Sequence, residues 1–126
     1  MAERSGQRFY PGRAPIDAYG DGGFRFAGMS HRGSLLILPS GMHAWPPTSI
    51  TEIESGSFAL VFAEQAPIGL LLHGTGPSQV FPSADIRRDF VSHKITLEAM
   101  DTGAAVRTYN VLLAEGRDVA AALIAV

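Results

Sequence analysis

The 126-residue sequence contains no cysteine, which excludes a disulfide framework, a thiol nucleophile and a thiolate metal site. It also lacks long apolar runs. The two longest, residues 66–72 and 119–126, fall far short of the roughly 20 residues that a membrane-spanning helix needs. Charged residues make up 17% of the chain and leave a net charge of -2, which does not favour a nucleic-acid partner. The hydrophobic content of 46% instead predicts one compact domain.

The basic residues are unevenly distributed along the chain. Nine of the ten are arginine, and Arg4, Arg8 and Arg13 all precede residue 15, where Glu3 is the single acid. Residues 1–14 therefore carry a net charge of +2 and the remainder carries -4. This segment shows no apolar periodicity, which is typical of a solvated terminus. We predict a flexible N-terminal arm over residues 1–14 and a folded domain over residues 15–126.

Glycines divide the first half of the domain into short segments. Residues 24–26 alternate apolar and polar side chains with a period of two, as a half-buried strand does. The sequences Asp21-Gly22-Gly23 and Arg32-Gly33-Ser34 are typical of hairpin turns. We predict a small antiparallel β meander that ends before Pro46 and Pro47, because prolines cannot donate to a ladder. Its segments are residues 16–19, 24–26, 34–38 and 42–45.

The second half predicts alternating strands and helices. The apolar run at residues 68–73 suits a strand buried on both faces. Ser83 is placed to cap a helix in which Ile86 and Phe90 share one face. The remaining predicted segments are a helix at 57–64, a strand at 95–99, a helix at 104–115 and a strand at 119–126. A β meander followed by βαβαβ implies right-handed crossovers and a parallel sheet, so the predicted fold class is α/β.

Two glycine-containing loops, Gly74-Thr75-Gly76 and Asp101-Thr102-Gly103, follow successive predicted strands. Ligands of open α/β sheets bind outside the carboxyl ends of the strands, where backbone N–H groups next to glycines can converge on an anion. With Arg107 in the helix that follows, these loops form a candidate site for a phosphate, a carboxylate or a partner's side chain. The alternative, which we favour, is that the glycines only make tight strand exits.

More specific chemical motifs fail on spacing. Gln79 stands where a dinucleotide-binding loop needs its third glycine. The triplet Asp101-Thr102-Gly103 resembles that of aspartic proteases, but it occurs once, and that chemistry needs two facing carboxylates. The four histidines show no metal-ligand spacing. We therefore predict no catalytic residue, no cofactor and no metal site, and we interpret Asp101 or Thr102 as a helix N-cap.

The helix predicted to begin at Ala104 carries polar side chains on an apolar surface. Residues 104–113 are apolar on nearly every side, yet include Arg107, Thr108 and Asn110. Buried polar groups need hydrogen-bond partners. Two interpretations stay open: a structural network that ties the helix to the glycine loops, or the floor of a pocket that is open at one end.

Together, several of these segments resemble the Mth938-like family, which was once catalogued only as a domain of unknown function. The run Arg107-Thr108-Tyr109-Asn110 is part of the match. The resemblance implies a three-layer α/β fold with a central mixed sheet and a second, smaller β layer. Val106 stands where relatives often have a cysteine, so a thiol role would not apply here. The matching stretches are residues 16–20, 23–26, 33–45, 74–76, 100–105, 107–110 and 115–117.

The resemblance also implies a function, because a mitochondrial relative is an assembly factor for respiratory complex I. We predict a non-enzymatic assembly or interaction factor of bacterial type, with a protein partner at the inner membrane such as a respiratory complex or its assembly machinery. Its expected location is the cytoplasm or the periphery of that membrane. The alternative is a small-molecule or anion binder, or an enzyme, that uses the crevice between residues 74–76 and 101–107. The sequence leaves open a homo-oligomer formed through an edge strand.

Overall fold

The computed structural model describes residues 8–126, which fold into nine strands and three α-helices. Two short 3-10 helices, at Ile50–Glu52 and Ser55–Phe58, precede the first α-helix. The strands are β1 Arg8–Tyr10, β2 Ala18–Gly20, β3 Gly23–Phe26, β4 Met29–Arg32, β5 Ser34–Leu38, β6 Gly41–Trp45, β7 Leu70–Gly74, β8 Thr96–Met100 and β9 Val119–Leu123. The helices are α1 Ala59–Ala63, α2 Ala84–Ser92 and α3 Thr102–Ala114.

Six strands form the central sheet, in the order β1-β6-β5-β9-β7-β8. Strand β7 runs parallel to both of its neighbours, β8 and β9, because helices α2 and α3 provide the crossovers. Strand β5 runs antiparallel to β9, with Leu36 opposite Ala122. The sheet is therefore mixed, and β9 lies between its antiparallel part and its parallel part.

The central sheet is covered on both faces, which makes three layers. One face packs against α1, α2 and the second 3-10 helix through buried side chains that include Phe58, Phe90 and Leu71. The other face packs against α3 and against the separate three-stranded sheet β2-β3-β4, which contributes Phe24 and Phe26. This arrangement confirms the predicted α/β fold class with its central mixed sheet and smaller second β layer.

The four predicted meander segments do not form a single sheet. Strands β5 and β6 belong to the central sheet, whereas β2, β3 and β4 pair only among themselves within the described part of the chain. The physical reason lies in β5, whose five residues are all buried and need cover on both faces. Helix α3 begins at Thr102, two residues earlier than predicted, because Asp101 caps it. No helix among the described residues is long and apolar enough to cross a membrane.

The predicted N-terminal arm covers residues 1–14, of which residues 1–7 lie outside the described part of the chain. Residues 8–14 differ from the prediction. Strand β1 pairs antiparallel with β6, and Ala14 is buried in the core. The packed part of the molecule therefore includes residues before position 15. These residues are held by backbone hydrogen bonds to β6, which the local sequence does not indicate.

Candidate functional site

The two glycine-containing loops meet at the carboxyl ends of β7 and β8, as predicted from the sequence, and Thr102 connects them. Its hydroxyl accepts from Gly76 N–H at 3.0 Å and donates to the Ile124 carbonyl at 2.7 Å. Its own N–H donates to the Gly76 carbonyl at 2.9 Å. Thr102 is wholly buried, so this hydroxyl is a structural link between α3, the first loop and the end of β9.

Thr75 occupies the centre of the first loop and is 1% exposed. Its N–H donates to the Met100 carbonyl at 2.9 Å. Its hydroxyl donates to the Ser78 carbonyl at 2.6 Å and accepts from Val80 N–H at 3.1 Å. The N–H groups of Thr75 and Gly76, which would have to converge on an anion, therefore already have protein partners. Anion binding at this crevice stays a prediction, and it would have to displace these bonds.

The close packing around Gly74 leaves little space for a side chain at this position. A Cβ at position 74 would lie 3.0 Å from the Thr102 hydroxyl and 3.0 Å from the Leu123 side chain. Asp101 serves as the N-cap of α3, since its carboxylate accepts from Ala104 N–H at 2.9 Å. The triplet Asp101-Thr102-Gly103 thus has a helix-starting role in this fold.

The polar residues of α3 point to three different places rather than into one pocket. Arg107 is exposed, and both its Nη1 and the hydroxyl of Tyr19 lie beside Gly103. Thr108 donates to the Ala104 carbonyl of its own helix at 2.9 Å and lines a cavity of about 480 Å³ beside β8. Arg107 therefore lies beside the second glycine-containing loop, whereas Thr108 faces the cavity beside β8.

Asn110 connects α3 to the segment that leads into β2. Its Oδ1 accepts from Ile16 N–H at 2.8 Å, and its Nδ2 donates to the Ile16 carbonyl at 2.9 Å. One amide side chain therefore satisfies both backbone groups of a buried residue 94 positions away. This supports the structural-network interpretation, although the network binds the N-terminal segment rather than the glycine loops.

Sequence reasoning missed two further members of this network. The Tyr109 hydroxyl donates to the Ala14 carbonyl at 2.8 Å, and burial raises the pKa of this tyrosine above its usual range. Arg13 donates to the Val119 carbonyl at 2.9 Å. The sequence signal for these contacts was the pair Tyr109-Asn110 on a largely apolar helix. Each of these side chains needs a polar partner when it is buried, so a hydrogen-bonded neighbour could have been expected.

His73 is the one strongly buried titratable side chain on β7, at 1% exposure. It lies edge-on to Trp45 and Phe58, with ring centroids 5.7 and 5.4 Å away. Its Nδ1 is 3.1 Å from the Ala122 carbonyl, while Nε2 is buried without a hydrogen-bond partner among residues 8–126. Burial lowers the pKa of His73, so the ring is held neutral. No group of three or more potential metal-ligating side chains occurs in this described range.

A mixed six-stranded sheet, covered by helices on one face and by a helix with a small antiparallel sheet on the other, defines the Mth938-like class of α/β domain. A solved Bordetella pertussis structure described as a Mth938-like domain aligns with a TM-score of 0.75 and 28% identity, covering 89% of this chain and 85% of that chain. The chain belongs to the family described as a protein of unknown function (DUF498/DUF598), whose model matches residues 16–124. The predicted family resemblance is thereby confirmed.

Other relatives extend the comparison. A solved structure described as an outer membrane protein from Bartonella henselae aligns with a TM-score of 0.89 at 48% identity, covering 93% of this chain and 98% of that chain. An uncharacterized protein of Rhodobacter capsulatus is 37% identical over 91% of this chain and 87% of its own length. The mouse NADH dehydrogenase [ubiquinone] 1 alpha subcomplex assembly factor 3 is 30% identical over 94% of this chain. This chain spans 64% of that factor's length.

Proposed function

We propose that this protein is a non-enzymatic assembly factor that binds a protein partner during the biogenesis of respiratory complex I. The observation that carries the proposal is the similarity to the mouse assembly factor, which extends over 94% of this chain. The family model likewise matches residues 16–124, which include all three helices.

The roles of the polar residues support binding rather than catalysis. The side chains of Thr75, Thr102 and Asn110 form hydrogen bonds with the protein's own backbone. A general base or nucleophile needs a side chain that can reach a substrate. A scaffold whose polar groups hold its own loops in place is better suited to presenting a surface to another protein.

The proposal is tested by affinity purification of the tagged protein from its native host, combined with deletion of its gene. We expect complex I subunits to co-purify well above an untagged control, and we expect the deletion strain to accumulate partly assembled complex I on native gels. Intact complex I in the deletion strain, with no co-purifying subunit, would contradict the proposal. The associated prediction of location, in the cytoplasm or peripheral to the inner membrane, is tested by salt washing of isolated membranes.

Purified wild-type protein and its Arg107→Ala variant test the alternative of a small-molecule or anion binder. In a thermal-shift screen of phosphorylated and carboxylated metabolites, an assembly factor should show no stabilisation that depends on Arg107. A ligand that stabilises the wild-type protein but not Arg107→Ala would instead favour the crevice as a binding site.

A further inference from the structure

Strand β8 forms one edge of the central sheet, with no strand beside it in the described part of the chain. Thr96 N–H donates to the Gly69 carbonyl, and the Met100 carbonyl accepts from Thr75 N–H, so the even-numbered residues of β8 bond toward β7. The backbone groups of Leu97 and Ala99 therefore point away from the sheet. Among residues 8–126, the one partner of these outward groups is the Gln79 side-chain amide, which donates to the Ala99 carbonyl at 2.8 Å.

A cavity flanks this edge on each face of the sheet. On the α2 side a cavity of about 660 Å³ is lined by Phe81 and Val91, which are 76% and 77% exposed. On the α3 side the cavity of about 480 Å³ is lined by Met100 and Leu112. Successive side chains of a strand point to opposite faces, so a strand placed beside β8 would direct its residues alternately into the two cavities.

We propose that β8 and its two flanking cavities are the docking surface for an extended segment of the partner protein, which adds to the sheet as a seventh strand. This inference rests on the proposed function, because it names the surface through which the partner binds. The segment has apolar residues at alternate positions and an acidic residue close to Arg87 and Lys94.

Charge favours a different protein over a second copy as the occupant. Arg87 and Lys94 are both exposed and both line the cavity on the α2 side, where Glu98 is the single acidic residue of the described lining, so that lining carries a net charge of +1. If β8 paired with its own copy across a two-fold axis perpendicular to the sheet, the two cavities on the α2 side, each with a net positive lining, would lie next to each other. A partner segment that carries a carboxylate gains attraction at the same place.

The proposal is tested with a displayed library of random 12-residue peptides, selected on the wild-type protein and depleted on Ala99→Pro. Proline at position 99 removes an outward N–H and places its ring where the partner strand would lie, while the ladder to β7 does not use that N–H. We expect enriched peptides with alternating apolar residues and an acidic residue. Their affinity should fall about tenfold or more in Ala99→Pro, consistent with the loss of a strand hydrogen bond and its neighbouring contacts.

Matched surface variants keep the test decisive if Ala99→Pro does not fold. Arg87→Glu should weaken an enriched peptide about tenfold, whereas Arg88→Glu, whose ion pair with Asp85 lies outside the cavity lining, should change its affinity less than twofold. Val91→Asp should abolish binding, whereas Val111→Asp, on exposed α3 surface, should not. Amide exchange at Leu97 should slow when a peptide binds.

Four results would overturn the proposed docking surface. The first is a selection in which no peptide prefers wild type over Ala99→Pro, and the second is equal binding to wild type and Val91→Asp. The third is a wild-type dimer in sedimentation that Ala99→Pro converts to monomer, which would make the occupant a second copy. If Ala99→Pro still co-purifies complex I subunits at the wild-type level, the docking surface is wrong and the proposed function stands. If wild type captures no subunit, the proposed function itself fails.

Discussion

Replacing Asn110 with leucine should loosen the N-terminal segment while leaving the central sheet in place. Leucine has the same branched arrangement of side-chain heavy atoms as asparagine, with larger methyl groups in place of the amide oxygen and nitrogen, so the two hydrogen bonds to Ile16 are lost while an apolar side chain fills position 110. Those bonds measure 2.8 and 2.9 Å and serve a residue that is 4% exposed. Because the Ile16 N–H and carbonyl lose their side-chain partner, the change reports the contribution of these two hydrogen bonds to the free energy of unfolding.

The expected cost follows from the number of groups affected. A net contribution of about 1 kcal/mol per hydrogen bond gives about 2 kcal/mol for the pair, and a fuller desolvation penalty on both groups raises this to about 4 kcal/mol. The matched control is Thr108→Val, two positions earlier in α3. Its hydroxyl bonds only to the Ala104 carbonyl and, weakly, to the Met100 sulfur, so the expected change is within about 0.5 kcal/mol.

Urea unfolding at neutral pH gives the free energy of unfolding of each variant, and amide exchange reports on Ile16 directly. We expect Asn110→Leu to lose protection at Ile16 by more than its global destabilisation accounts for, since the segment can detach while the sheet stays folded. Two results together would refute the reasoning. The first is a free energy of unfolding of Asn110→Leu within about 0.5 kcal/mol of the wild type, which is the change expected of the control. The second is unchanged exchange protection at Ile16.

Three further predictions concern other buried groups. Thr102→Val should lower the free energy of unfolding by about 2–4 kcal/mol in urea, because Gly76 N–H and the Ile124 carbonyl lose their partner, while Thr102→Ser should retain most of it. For His73, whose pKa is lowered by folding, the unfolded chain binds a proton first as pH falls through about 6.5, so stability should decline below that pH. In urea unfolding at pH 7.5 and 5.5, His73→Phe should show a smaller decline in stability than the wild type. Gly103→Ala should gain less than the roughly 1 kcal/mol by which a helix favours alanine over glycine, because its Cβ would lie 2.5 Å from the Tyr19 hydroxyl and this 40% exposed side chain must move; in a Tyr19→Ala background the full gain should be seen, as measured by thermal melting.

Local chemistry is what sequence reasoning predicted well. Ser83 caps α2, its hydroxyl accepting from Ile86 N–H at 3.3 Å, and Asp101 caps α3, because a cap depends on residues three positions apart. The buried strand before Gly74 was equally visible, since a continuous apolar run needs cover on both faces. These features depend on neighbours in the chain, so one sequence is enough to indicate them.

Long-range choices could not be predicted in the same way. Strand β5 pairs with β9, which follows it by more than 80 residues, and no local pattern distinguishes this from membership of the small sheet. In the same way, the polarity of Asn110 indicates that it needs a partner but does not identify Ile16. The candidate crevice shows the same limit. The two loops meet as predicted, but the sequence does not indicate that the Thr102 hydroxyl bonds to Gly76 and Ile124, because a threonine at this position could equally line an open site.

The position of β9 has a consequence for how the protein is made. Strand β9 is the last of the nine described strands to be synthesised, yet it lies between β5 and β7 and joins the two parts of the central sheet. The β5–β6 hairpin and the β7–β8 pair can form earlier, but each must wait with an exposed edge until residue 123 is released. The central sheet is therefore completed by inserting β9 between two strands that are each already paired on their other side, and until that step both exposed edges can pair with other chains.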